Sequence, residues 1–294
     1  MTDNLVIVIV AGLTATACGL LGPFLVLRRM ALLSDAVSHA VLPGIVSVWL
    51  VAHTRAPLPV VLGAAAFAVL CVVAIDALRA TGLVASDAAI ALVFPALFSL
   101  GVLGITRYAD GIHLDLDSTI YGEIALVPFD TISVGGVDLA RAAVVLAVVV
   151  LVDLALLALL WKELTATTFD PEFSSTVRLR PQLLNRLLVI AVAVTAVSAF
   201  EAVGAILVVT MLIVPAATAY LLTNRLPVLV AGSVGVGWIG AVGGHRLALA
   251  TDSSIAGAMG LVCTACFVLA VLVSRRRLIL AQLLPSVSRG RIVS

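Results

Sequence analysis

The chain has 294 residues, 63% hydrophobic and 11% charged, with a formal net charge of +1. Its mean hydropathy is +1.26, and a soluble domain carries about 25% charged residues, so this is an integral membrane protein in contact with lipid. The small net charge argues against a nucleic-acid partner. Apolar runs long enough to cross a hydrocarbon core of about 30 Å recur from end to end, and the gaps between them leave no room for a separate soluble domain. Residues 1–294 therefore read as one all-α transmembrane domain.

The first run, 5–27, follows MTDNL, which lacks the basic stretch of a cleaved signal, and is expected to be a retained span. The second, 35–52, begins with SDAVSHAVLPG. Asp35 and His39 are four apart and Ser38 is three from Asp35, so on a helix they share a face. Pro43 removes the donor that would pair with the His39 carbonyl. Carboxylate, imidazole and a free carbonyl oxygen suit a divalent cation such as Mn²⁺, Fe²⁺ or Zn²⁺. The alternative is a first helical turn capped by Ser34, with Asp35 held by Arg28 or Arg29 and His39 a satisfied interior histidine. The cost of placing ionisable groups at membrane depth tilts the balance towards a pathway role.

Spans at 58–77 and 87–105 follow, then a loop at 106–138 that collects Asp110, Asp115, Asp117, Glu123, Asp130 and Asp138 and has room for a short helix or re-entrant piece. The span at 139–161 carries Asp153, read as a helix-to-helix hydrogen-bond partner. A polar connection, 162–186, contains FDPEF, in which Asp170 caps a helix that Pro171 and Glu172 begin. That short helix is expected over 170–179, stopped before Pro181. Spans at 186–202, 204–222, 227–245 and 255–273 complete nine. The 186–222 pair is short for two crossings, which leaves eight as the alternative, and Pro215 predicts a kink in its second member.

With the N-terminus outside, all of the 17 basic residues except Arg55, Arg107, Arg141 and Arg246 fall on one side, which is the cytoplasm. Cys18, Cys71, Cys263 and Cys266 lie in apolar runs and read as packing residues despite the CxxC spacing of the last two. Glu201 falls at an external turn, where solvation explains it, and His53, His113 and His245 fall near external ends, at surface or gate positions. Gly240–Gly244 and Gly257–Gly260 read as places of close helix approach.

No GxxxxGK[ST] phosphate loop is present, and Lys162 is the one lysine, so the chain is not its own P-loop ATPase. It is then either a gradient-driven carrier or the membrane subunit of a complex whose ATPase is another chain. GPFLVLRRMALLSDAVSHAVLPGI (22–45), FDPEF (169–173) and VGAILVVTMLIVPAATAYLL (203–222) resemble the permease subunits of manganese/zinc/iron ABC importers, the ABC-3 family. Ser34 and Val37 stand where that family often has glycine and leucine.

The resemblance implies a type II importer-like permease in a bacterial plasma membrane, pairing with a second copy or a paralogue. It further implies a cytoplasmic ATPase dimer that performs the hydrolysis, an external metal-binding protein, and a transported divalent cation in place of any resident cofactor. By position, Asp35 and His39 would contact the metal, and Phe169, Asp170, Pro171, Glu172 and Phe173 would begin the helix that docks on the ATPase. Manganese is favoured by the thiolate-free, oxygen-containing donor set. A permease for a metal chelate or vitamin, and a gradient-driven metal carrier, are the alternatives.

Overall fold

In lipid every backbone donor and acceptor must be paired within its own segment, so apolar runs become helices and irregular backbone collects at their ends. The computed structural model describes residues 3–52, 57–108, 124–134, 137–170, 174, 176–177 and 179–283. Within them nine long helices follow one another: α1 (Asp3–Leu27), α2 (Ala31–Ala52), α3 (Pro57–Ala80), α4 (Ser86–Tyr108), α5 (Arg141–Phe169), α6 (Pro181–Val203), α7 (Ala205–Leu222), α8 (Leu226–Thr251) and α9 (Ile255–Leu283). Seven of these are long and apolar enough to cross a membrane, while α2 and α4 contribute shorter apolar stretches, Pro43–Ala52 and Ala88–Gly104.

Packing fixes their relative directions. Gly12 meets Trp238 and Gly19 meets Val234, so α1 and α8 are antiparallel; Gly44 on Ala64 and Gly63 on Val48 make α2 and α3 antiparallel. Pro43 on Gly101 and Val46 on Gly104 make α2 and α4 parallel, and Gly240 on Cys263 with Gly243 on Val262 reverse α9 against α8. These four pairs have the relative directions that helices alternating along the chain would give them. At Gly240 and Gly244 an added Cβ would collide with α9, whereas at Gly257 and Gly260 it would find ordinary contact distances of 3.7 Å. Only the first of the two glycine clusters is needed for close approach.

Two features depart from the sequence reading. The external loop contributes a short 3-10 turn (Ile124–Phe129) and a hairpin of β1 (Thr131–Val134) and β2 (Val137–Ala140), a small β element in an otherwise helical chain. Helix α5 runs to Phe169, well past 161, with non-helical φ/ψ at Leu160; the polar KELTATTF tail stays helical because it continues in water after the apolar part ends. Helices α6 and α7 are separated by one residue, Gly204, with φ 82° and ψ 158°, a backbone region open in practice to glycine alone. That explains how two helices fit into so short a stretch. Helix α7 continues through Pro215.

The buried side chains form two main groups. The larger centres on α1 and includes Leu21, Phe24, Leu25, Leu164, Leu207 and Met211. The smaller joins α2, α3, α4 and α6 through Ala36, Ala40, Ala68, Cys71, Ala89 and Ala193, with Val72 and Ile75. Helix α2 packs mainly on α3 and α4 and barely touches α1, its neighbour in sequence.

Candidate functional site

Asp35, Ser38 and His39 all lie in α2, in its first half; their side chains lie outside the described residues. Ala36 and Ala40, fully buried, mark the seam of α2 that packs on α3 and α4. Asp35 and His39 each precede one of these alanines, so they occupy a helix row about 100° round from that seam. The seam continues through Pro43 and Gly44. A Cβ on Gly101 would lie 2.9 Å from the Pro43 nitrogen, and one on Gly44 would lie 2.7 Å from both Ala64 Cα and the Gly63 oxygen. Backbone therefore meets backbone on two sides of the proline, immediately after the Asp35/His39 row.

The turn into α2 is unusual. Met30 N–H donates to the Leu25 carbonyl at 2.8 Å and Arg29 N–H to that of Val26 at 3.1 Å, the paired bonds of a Schellman ending. The left-handed residue of this ending, normally glycine, is Arg29, with φ 57°.

Arg28, half-buried just outside α1, turns its guanidinium to the end of α5 and the start of α6. Nε donates to Thr168 Oγ1 at 3.0 Å, Nη2 to Thr167 Oγ1 at 2.9 Å and to the Leu164 carbonyl at 3.5 Å, and Nη1 to Asn185 Oδ1 at 3.2 Å. None of these acceptors is a carboxylate. Burial pushes the Arg28 pKa below its ordinary value, and the negative end of the α5 dipole favours the cation in return. One turn earlier on α1, Phe24 meets Trp161 edge-on, with ring centroids 6.1 Å apart.

Phe169 closes α5 and is 60% exposed. Asp170 leaves the helix (φ −143°, ψ 82°), yet its carbonyl accepts from Ser174 N–H at 3.1 Å, a helical spacing. Pro171, Glu172 and Phe173 lie outside the described residues. Pro181 stands in the first turn of α6, as its missing N–H favours.

Within the spans, Thr195 Oγ1 of α6 donates to Asp153 Oδ2 of α5 at 2.9 Å, with Asp153 2% exposed. This is the interhelical hydrogen bond expected of Asp153. His245, expected at a surface or gate position, is instead buried in α8, two turns before its end, and neither ring nitrogen has a partner among the described residues. Glu201 lies in the last turn of α6, its side chain outside the described residues, as are His53 and His113. The four cysteines are free thiols; Cys263 Sγ lies 3.9 Å from Met211 Sδ in an apolar seam. Among the described residues, no three His, Cys, Asp or Glu side chains gather as a metal site would require. What the sequence did not single out is the Arg28 network; its signal was an arginine pair immediately before the polar α2 segment.

The family described as the ABC 3 transport family matches residues 1–274. The manganese transport system membrane protein MntD of Bacillus subtilis is 40% identical over 263 residues, covering 89% of this chain and 89% of that protein. The zinc transport system membrane protein TroD of Treponema pallidum is 40% identical over 268 residues, covering 91% and 73%. Among solved structures, PsaBC from Streptococcus pneumoniae in complex with Fab superposes with a TM-score of 0.77 at 26% identity, over 92% of this chain and 91% of that one. With a match running from the first residue to the last span, this multi-pass membrane protein belongs to the ABC 3 transport family.

Proposed function

We propose that this chain is the transmembrane permease of an ATP-driven importer that carries a divalent metal cation, manganese in preference and zinc or iron as alternatives, from an external binding protein to the cytoplasm. The carrying observation is the Asp35/His39 row of α2 in a chain whose relatives include manganese and zinc transport proteins at 40% identity. A carboxylate and an imidazole one turn apart hold a borderline cation without thiolate, and two protein ligands leave room for the exchange that transport demands. Pro43 withholds the donor for the His39 carbonyl and so frees its oxygen as a third ligand. One permease domain spans the whole chain in this reading and pairs with a second copy or a paralogue.

In this reading a separate cytoplasmic dimer hydrolyses ATP, in keeping with a sequence that carries no phosphate loop. The segment Phe169, Asp170, Pro171, Glu172 and Phe173 is where that dimer docks: the exposed Phe169 ring ends a helix that outruns the membrane, and Asp170 opens the next helical turn. In cells carrying the complete importer, Asp35→Ala or His39→Ala lowers manganese uptake by more than about tenfold at equal expression, as loss of a pathway ligand requires. Unchanged uptake in both variants removes the assigned site. Loss of the co-purifying ATPase on changing Phe169 and Phe173 to alanine separates this reading from a gradient-driven carrier, which transports without any ATPase.

A further inference from the structure

We propose that Arg28 is a positioning residue that couples the cytoplasmic arm of α5 to the helix bearing Asp35 and His39, so that movement at the ATPase-docking segment is passed to the metal row.

The inference rests on the reading of 169–173 as the docking segment and on the connection the structure shows between it and α2. Helix α5 has 29 residues, about 44 Å at 1.5 Å per residue, more than a hydrocarbon core of about 30 Å. Its non-helical residue, Leu160, divides it into a membrane part and an arm running from Trp161 to Phe169. Every bond from Arg28 to α5 lands on that arm, at Leu164, Thr167 and Thr168, and the last of these directly precedes Phe169. Phe24, one helical turn before Arg28, packs on Trp161 at the arm's base. Successive turns of α1 thus grip successive turns of the arm, through a ring contact below and a guanidinium fork above.

The other end of the connection is equally short. Arg28 is followed by Arg29 in the left-handed conformation and Met30, and α2 starts at Ala31. Asp35 lies about 6 Å along the axis from there. Helix α2 barely touches α1 and meets α3 and α4 through alanine and glycine seams, so this corner is its covalent tie to α1, beside smaller packing contacts with α6 and α7. A planar fork engaging Thr167, Thr168 and Asn185 together transmits direction as well as force, which a point charge does not.

The full importer in proteoliposomes, with manganese as the transported probe, provides the test: manganese moved per ATP hydrolysed. Arg28→Gln keeps the ATPase bound and the metal-independent hydrolysis unchanged but lowers the ratio about tenfold; Arg28→Lys, with charge but no fork, lowers it about threefold. Thr167→Val with Thr168→Val lowers it likewise with Arg28 in place, and so gives a result even if Arg28→Gln fails to assemble. An unchanged ratio in the assembled variants, with only a lower melting temperature, overturns the proposal and leaves Arg28 a structural brace. If the ATPase stays bound and coupled after Phe169 and Phe173 become alanine, it is the docking assignment that fails, a different readout from the ratio in the Arg28 variants.

Discussion

Around α1, large side chains interlock, among them Leu21, Phe24, Leu25 and Met211, beside glycine contacts at Gly12, Gly19 and Gly22; around α2, the buried group is smaller and richer in alanine, with glycine contacts at Gly44, Gly63 and Gly101. In lipid neither gains from apolar burial between helices, so both rely on packing and on a few polar contacts. Interdigitated side chains resist sliding, because each must leave its groove. Smooth small-residue seams bring backbones close while allowing displacement along the helix axis. On the reading of Asp35 and His39 as metal ligands, the proposed row lies in the smaller, alanine-rich group, and the α1 group is the frame against which that row would move.

The largest effect on that comparison comes from roughening a smooth seam. Gly44→Val sets a branched side chain against the Ala64 and Gly63 backbone, where a Cβ alone already lies at 2.7 Å. Overpacking of this kind costs about 1–3 kcal/mol, read as a lower unfolding midpoint in detergent, and uptake falls further than the stability change accounts for if the seam must slide. Gly235, with nothing within 4 Å of its would-be Cβ, is the control: Gly235→Ala raises the midpoint slightly, as alanine does in a helix interior, and leaves uptake unchanged.

A smaller effect is expected in the frame. Asp153→Leu removes the bond from Thr195 and leaves that hydroxyl free to turn to its own helix. Interhelical hydrogen bonds in membranes contribute about 0.6 kcal/mol on average and about 1.7 at most, so the midpoint drops by a correspondingly small amount. Manganese uptake is retained, in contrast to the loss at Asp35. Uptake abolished at full expression would place Asp153 on the pathway and dissolve the distinction between frame and moving group.

The sequence disclosed most of the architecture because lipid leaves so few options: long apolar runs had to be helices. The limits of α5 were less legible, since KELTATTF is polar and its helicity depends on continuing a helix begun in the membrane. The hairpin after the 3-10 turn was missed because SVGGV reads as loop inside an apolar chain, although paired glycines between short β-branched runs are a hairpin signal. Asp153 was legible from its depth alone. His245 was not, because its distance from the helix end depends on α8 running on to Thr251. The Arg28 network joins residues 28, 164–168 and 185, and no local pattern reports that arginine reaches the ends of two distant helices.

The smallest expected effect concerns the corner that joins the two groups. Arg29 adopts φ 57°, which costs a side-chain-bearing residue roughly 1–2 kcal/mol, while glycine there gives back about 0.5–1 kcal/mol through its greater freedom when unfolded. Since Arg29 is exposed and its neighbour Arg28 makes the bonds to α5 and α6, little else is lost, and Arg29→Gly raises the unfolding midpoint slightly or leaves it unchanged. Transport reports separately. A corner that only reverses the chain works as well with glycine, and uptake per ATP stays the same. A corner that passes movement from the arm of α5 to α2 must be stiff, and a glycine directly after Arg28 lets the two helices move independently, so the ratio falls although the protein is no less stable. A lower midpoint together with an unchanged ratio would show the opposite: that the Arg29 side chain holds the corner and that stiffness there has no part in transport.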